Sequence, residues 1–184
     1  TRYWRDWSSD VCSSDLAGCG FHSNDARGTT IRVDPSSGDP VDRVAPLVRI
    51  KGREAGVRSE YFEGMQTTVS LYELTSASEL LFVGDAGITE PSRPSRRTGI
   101  ELAHQWRIDR NWTFDAAYAH ARARFRDADP AGNFIPGAVE GVGSLALSFR
   151  NLGPWFGALQ FREFGPRPLI EDNSVRSKGT RTFN

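Results

Sequence analysis

"RRTGIELAHQWRIDRNWTFDAAYAHARARF", residues Arg96–Phe125, is the stretch on which the reading of this chain turns. In its first half Ile100, Leu102, Trp106 and Ile108 alternate with Arg97, Glu101, Gln105 and Arg107. A period of two marks a strand with one apolar and one polar face. Asp109, Arg110 and Asn111 interrupt it with turn-forming residues. The alternation then resumes, with Trp112, Phe114, Ala116 and Tyr118 against Thr113 and Asp115. Two such runs joined by a tight turn predict an antiparallel hairpin.

The same period extends in both directions. "EAGVRSEYF" (54–62) sets Ala55, Val57 and Tyr61 against Glu54, Arg58 and Glu60. "MQTTVSLYEL" (65–74) sets Val69 and Leu71 against Gln66, Thr68 and Ser70, and "ELLFVG" (79–84) continues it past a bulge or turn at "TSAS". Downstream, "GSLALSF" (143–149) and "WFGALQFREF" (155–164) present Leu145, Leu147, Phe149, Trp155, Leu159 and Phe161. A helix is hard to place anywhere. The expected fold is all-β: an antiparallel up-and-down meander of about six strands.

The connections alternate in length. Short ones fall at 62–65, 109–111 and 150–154; long ones at 20–50, 85–96, 126–138 and from 165 onward. Short turns on one rim and long loops on the other are the pattern of a transmembrane β-barrel in an outer membrane. Aromatic rings beside the short turns agree with this, because amphipathic rings favour the headgroup zone. The expected periplasmic girdle is Tyr61, Trp106, Trp112, Phe149 and Trp155. The expected lipid-facing set is Ile100, Leu102, Trp106, Phe114, Tyr118, Leu145, Leu147, Leu159 and Phe161. Arg97, Glu101, Gln105, Thr113 and Asp115 would face a wet lumen, which tolerates charge where a packed core would not. A soluble sandwich or lipocalin-like barrel shows the same alternation and remains the alternative.

Composition narrows the classes further. Hydrophobic residues make up 38% of the 184, below the roughly 45–50% of ordinary globular domains. Lys+Arg and Asp+Glu both number 23, so nothing electrostatic draws the chain to nucleic acid. No apolar run is long enough for a transmembrane helix, and no apolar signal-peptide segment opens the chain. The chain starts at Thr1, not Met, and is read as a fragment.

Several segments, taken in order, carry a resemblance. They are "GFHSNDARG" (20–28), "EAGVRSE" (54–60), "SELLFVGDAG" (78–87), "PSRRTGIEL" (94–102), "ARARFRD" (121–127), "IPGAVEGV" (135–142) and "GPRPLIEDNSVRS" (165–177). Together they resemble the barrel of a TonB-dependent receptor of a Gram-negative outer membrane. The resemblance implies a 22-stranded barrel that imports a scarce ligand of the iron-chelate, cobalamin or carbohydrate type, with no catalysis and no cofactor. TonB contact would run only through an N-terminal plug, and neither plug nor TonB box stands in these residues. Outer-membrane lipid and lipopolysaccharide are the other implied partners. By contrast "DWSSDVCSSDL" (6–16) has no apolar period and resembles a translated sequencing-library adapter.

The expected organisation is therefore an adapter-derived, disordered stretch at 1–16, a long extracellular-type loop and strand lead-in at 17–53, barrel strands at 54–165, and a loop with a truncated end at 166–184. Catalytic and metal chemistry find no foothold. His22, His104 and His120 lack a second ligand at metal spacing. His22 with Asn24 and Asp25 reads as an Asx turn before it reads as a ligand site. "RDADPAGN" (126–133) lacks the full calcium-loop pattern and reads as a solvated loop. Cys12 and Cys19 match no metal or redox spacing, and a disulfide between them is disfavoured. Arg122, Arg124 and Arg126 share a strand parity near its outer end, where lipopolysaccharide phosphate, a lumenal acid or plain solvent could meet them. A passive porin is a third functional class.

Overall fold

The alternation becomes a single broad sheet. The computed structural model describes residues 11–23, 29–33, 37–40, 45–78, 80–83, 88–91 and 93–184. Its strands are β1 (Val11–Ser23), β2 (Leu47–Ser59), β3 (Met65–Ser76), β4 (Leu80–Val83), β5 (Ile88–Pro91), β6 (Ser95–Arg107), β7 (Trp112–Phe125), β8 (Gly141–Leu152), β9 (Trp155–Phe164) and β10 (Thr180–Phe183). Eight of them form one antiparallel sheet in the order β1-β2-β3-β6-β7-β8-β9-β10, and β4 pairs with β5 apart from it. This is an up-and-down meander, all-β as expected, with more strands than the six anticipated.

Local chemistry sets the short turns. Asp109 accepts hydrogen bonds through Oδ1 from the Asn111 and Trp112 amides at 2.7 and 2.8 Å, closing β6 onto β7. The β8–β9 turn is Gly153–Pro154, with Asn151 and Gly153 at φ of 60° and 61°. Glycine first in a two-residue loop is the arrangement that twisted hairpins favour. The other rim carries the long connections, 24–46, 77–94, 126–140 and 165–179, so the two-sided rim read from the sequence is present.

Four expectations change. Residues 11–16, expected to be disordered, lie in β1, which pairs along its whole length with β2; residues 1–10 fall outside the described set. Within 17–53, taken as loop and lead-in, β1 continues to Ser23 and β2 starts at Leu47. "ELLFVG" does not prolong β3, because its strand β4 folds back on β5 in a hairpin of its own. Near the end, Thr180–Phe183 adds to β9 as a further strand, its Phe183 ring 4.8 Å from that of Phe161.

The sheet has no second layer among the described residues, so the sandwich alternative lacks its partner sheet. The buried hydrophobic residues described are Val48, Ala123, Phe125 and Ile135. The last three form one cluster at the long-loop rim, with Ala138 packed against it. Main-chain pairing therefore holds the wall together, and the compact core sits where loops meet it.

Candidate functional site: a two-faced wall and its docked loops

Because side chains alternate along each strand, the pairing register sorts the wall into two faces. One row joins Met65, Trp106, Phe114, Leu147 and Leu159 across five strands. Parallel rows join Leu71, Ile100 and His120; Val69, Leu102 and Tyr118; and Ala116, Leu145 and Phe161. All nine residues expected to meet lipid thus share one face. Most are exposed: Leu159 is 63% exposed, Tyr118 49% and Leu145 46%. His104 and His120 are polar residues on this face, and the His104 Nδ1 is 2.8 Å from the Thr67 hydroxyl on the neighbouring strand. A polar group on an apolar face is tolerable when a neighbour satisfies it.

The rings near the short turns share that end of the wall. Trp112 and Phe149 lie opposite each other with ring centroids 5.4 Å apart. Tyr61 meets Phe62 edge-on at 4.6 Å. Trp155 is 72% exposed at the start of β9.

Arg97, Glu101, Gln105, Thr113 and Asp115 occupy the opposite face, as the register requires. Gln105 donates to Asp115 Oδ1 at 3.0 Å. Small residues accompany them, including Ala103, Ala117, Ser144 and Ala146, which leaves this face shallow and polar. A concavity of about 620 Å³ opens on it, lined in part by Ile50, Glu54, Tyr72, Arg97 and Glu101.

Sequence reasoning missed the loops. The 126–140 segment, of which residues 126–133 were expected to form a solvated loop, is docked. The Phe134 amide donates to the Glu171 carbonyl at 3.0 Å, and the Gly137 amide to the Pro168 carbonyl at 2.8 Å. Arg93 is the hub. Its guanidinium lies 3.3 Å from Asp127, 3.1 Å from Asp129 and 3.3 Å from Glu171, donates to the Gly132 carbonyl at 2.7 Å, and sits 4.2 Å above the Phe125 ring. The acids that suggested a calcium loop therefore close on an arginine. The Ala131 amide, with Arg93 behind it, holds Asp129 below the usual aspartate range. A second cluster joins Arg176 to Glu140 and Asn173. Arg124 belongs to this cluster: it lies 3.7 Å from Glu140 and its guanidinium is 3.6 Å from the Phe134 ring centroid. Two clues were legible in advance: Phe125 and Ile135 are apolar where polarity is expected, and Asp127 and Asp129 lie between them.

The remaining candidates disperse. His22 lies in β1, and Asn24 and Asp25 fall outside the described residues. His104 and His120 occupy neighbouring strands, and no metal-holding group of His, Cys, Asp or Glu occurs among the described residues. Cys12 and Cys19 are free. An odd separation within one strand turns them to opposite faces, so they cannot bridge.

No protein-family model and no curated protein matches this sequence. Solved structures do. The ferric yersiniabactin uptake receptor FyuA from Yersinia pestis is 17% identical with a TM-score of 0.66 over 95% of this chain and 27% of its own. The ferric-catecholate import receptor Fiu from K12 E. coli gives 14% identity and a TM-score of 0.68 over 95% and 26%. The copper transporter OprC gives 18% and 0.70 over 94% and 28%. The fold is that of a section of these barrel walls, and the chain spans about a quarter of their length.

Proposed function

We propose that this chain is part of the barrel wall of a TonB-dependent receptor in a Gram-negative outer membrane, a transporter and not an enzyme. The observation that carries the reading is the single-layer sheet whose apolar face has no protein cover among the described residues. In water such a face would drive aggregation; against acyl chains it is at home. The lipid-facing set, the periplasmic ring girdle and the lumenal polar set keep the roles assigned from the sequence. Strands of 13 residues, such as β2 and β6, tilted by about 45°, are long enough to cross the roughly 25 Å apolar band.

The cargo would be a scarce iron chelate, cobalamin or carbohydrate. The chelate class gains support from the ferric and copper cargoes of the structural neighbours. The docked 126–140 and 165–179 loops would shape the ligand's entrance, and TonB would act through an N-terminal plug. Lipid and lipopolysaccharide would surround the wall. Residues up to Leu16 keep the adapter reading, since β1 pairs through its backbone and every one of its side chains is exposed.

Single-tryptophan variants in vesicles test this. Trp106 and Trp155 should be quenched strongly by brominated phosphatidylcholine. A chain that stays monomeric in buffer without detergent, with unquenched tryptophans, would be the soluble ligand-binding protein instead.

A further inference from the structure

Three long connections meet at one side chain. Arg93 ends the connection that carries the β4–β5 hairpin, Asp127 and Asp129 stand in 126–140, and Glu171 stands in 165–179. Each guanidinium nitrogen takes one acid: Nε faces Asp127, Nη1 faces Asp129 and Nη2 faces Glu171. The Arg93 side chain is only 18% exposed, so water and salt screen these charges weakly. Without the cation, three carboxylates would crowd one small volume and repel one another. Removing one partner from a largely buried ion cluster leaves uncompensated charge, which destabilises it strongly.

The hairpin depends on this anchor most. Among the described residues β4 and β5 contact each other and no other strand. A two-stranded hairpin alone is marginally stable in water. Its pairing is therefore set by how its two ends are held. Before it, the Ala77 amide donates to the Arg49 carbonyl at 3.1 Å; after it, Arg93 lies just beyond Pro91. The other two connections also hold each other, through the Phe134 and Gly137 amides on the Glu171 and Pro168 carbonyls. Their backbones approach closely at Gly132, which has φ of 114° and where an added methyl group would lie 2.2 Å from the Glu171 carbonyl oxygen. That approach brings Glu171 within reach of the guanidinium that Asp127 and Asp129 already hold. We propose that Arg93 makes the three long connections one cooperative unit, a rim that shifts as a whole and not loop by loop. Coupling of this kind needs a contiguous network with two arrangements. Here the two are the cluster closed on Arg93 and the cluster released from it. Arg93 is a positioning residue in this scheme: a ligand that displaced any one connection would loosen the hold on the other two.

That this rim frames an entrance rests on the membrane reading, and one experiment separates the two. Amide hydrogen exchange of the full chain is followed in detergent micelles. Slow exchange in β6–β9 reports the folded wall; exchange in the three connections reports the coupling. R93Q should speed exchange at least fivefold in β4 and β5, in 126–140 and in 165–179, and leave β6–β9 unchanged. E171Q and G132A are the decisive variants, because neither alters the connection that carries the hairpin. Each should speed exchange in β4 and β5 at least twofold, whereas R110Q on the opposite rim should not. Effects of E171Q and G132A confined to 126–140 and 165–179 would overturn the coupling while leaving the membrane reading intact. A wild-type chain without slow exchange in β6–β9 in micelles would overturn both.

Discussion

At Gly99 an added methyl group would lie 2.5 Å from the Tyr72 ring of the neighbouring strand. The ring covers the glycine, and this contact packs β3 against β6 on the polar face. Gly99→Ala should cost about 1–3 kcal/mol, the usual range for overpacking. Combined with Tyr72→Ala it should cost less than the sum of the single changes, as urea unfolding in detergent micelles would register. Leu147 tests the opposite face. Leu147→Arg should cost about 2–4 kcal/mol if that residue sits near the bilayer midplane. Ala146→Arg, one position along and on the opposite face, should cost far less. Equal penalties at the two sites would contradict the assignment of faces. These facings were legible in the sequence because alternation is a local property: once residues are known to be strand, parity alone separates Leu147 from Ala146. Arg124 was not legible, because its parity is that of Arg122 while its partners Glu140 and Phe134 come from a loop.

Among the elements, the 126–140 loop and β1 depart most from what patterning implies. The loop is tied down by charge, which makes it sensitive to acid. Asp129 is held low chiefly by the Ala131 amide and further by Arg93. A carboxylate depressed in the folded state stabilises it above the unfolded value, near 3.9, and that contribution is lost as pH falls through the folded value. The loop should therefore be indifferent between pH 7 and 5 and loosen below about pH 4. Carboxyl-carbon NMR of Asp129, with the amide signals of the loop, would follow the transition, and Asp129→Asn should remove the Asp129 step. Strand β1 presents the reverse case. Its sequence has no apolar period, its Leu16 is 70% exposed, and yet it pairs with β2 from end to end. An open sheet edge offers unpaired amides and carbonyls that bond any extended segment whatever its side chains. Leu16→Ser with Phe21→Ser should accordingly leave the urea midpoint unchanged. A clear drop would mean that β1 is packed and not merely paired.

For the whole molecule, the consequence of a single-layer sheet is a demand for an apolar solvent. In buffer the chain should aggregate; in detergent it should give a β-rich circular dichroism spectrum and a discrete particle on size exclusion. A discrete particle without detergent would contradict the membrane reading. The sequence by itself determined the antiparallel meander, the inequality of its two rims and the side on which each residue of β6–β9 stands, because these depend on spacing over a few residues and on turn chemistry such as that of Asp109. Only the tertiary structure decided the pairing of β1 and β10, the separate β4–β5 hairpin and the closure of two loops around Arg93. All but the local β4–β5 hairpin bring together residues far apart in the chain through backbone hydrogen bonds or long flexible charged side chains, and neither leaves a periodic trace along the sequence.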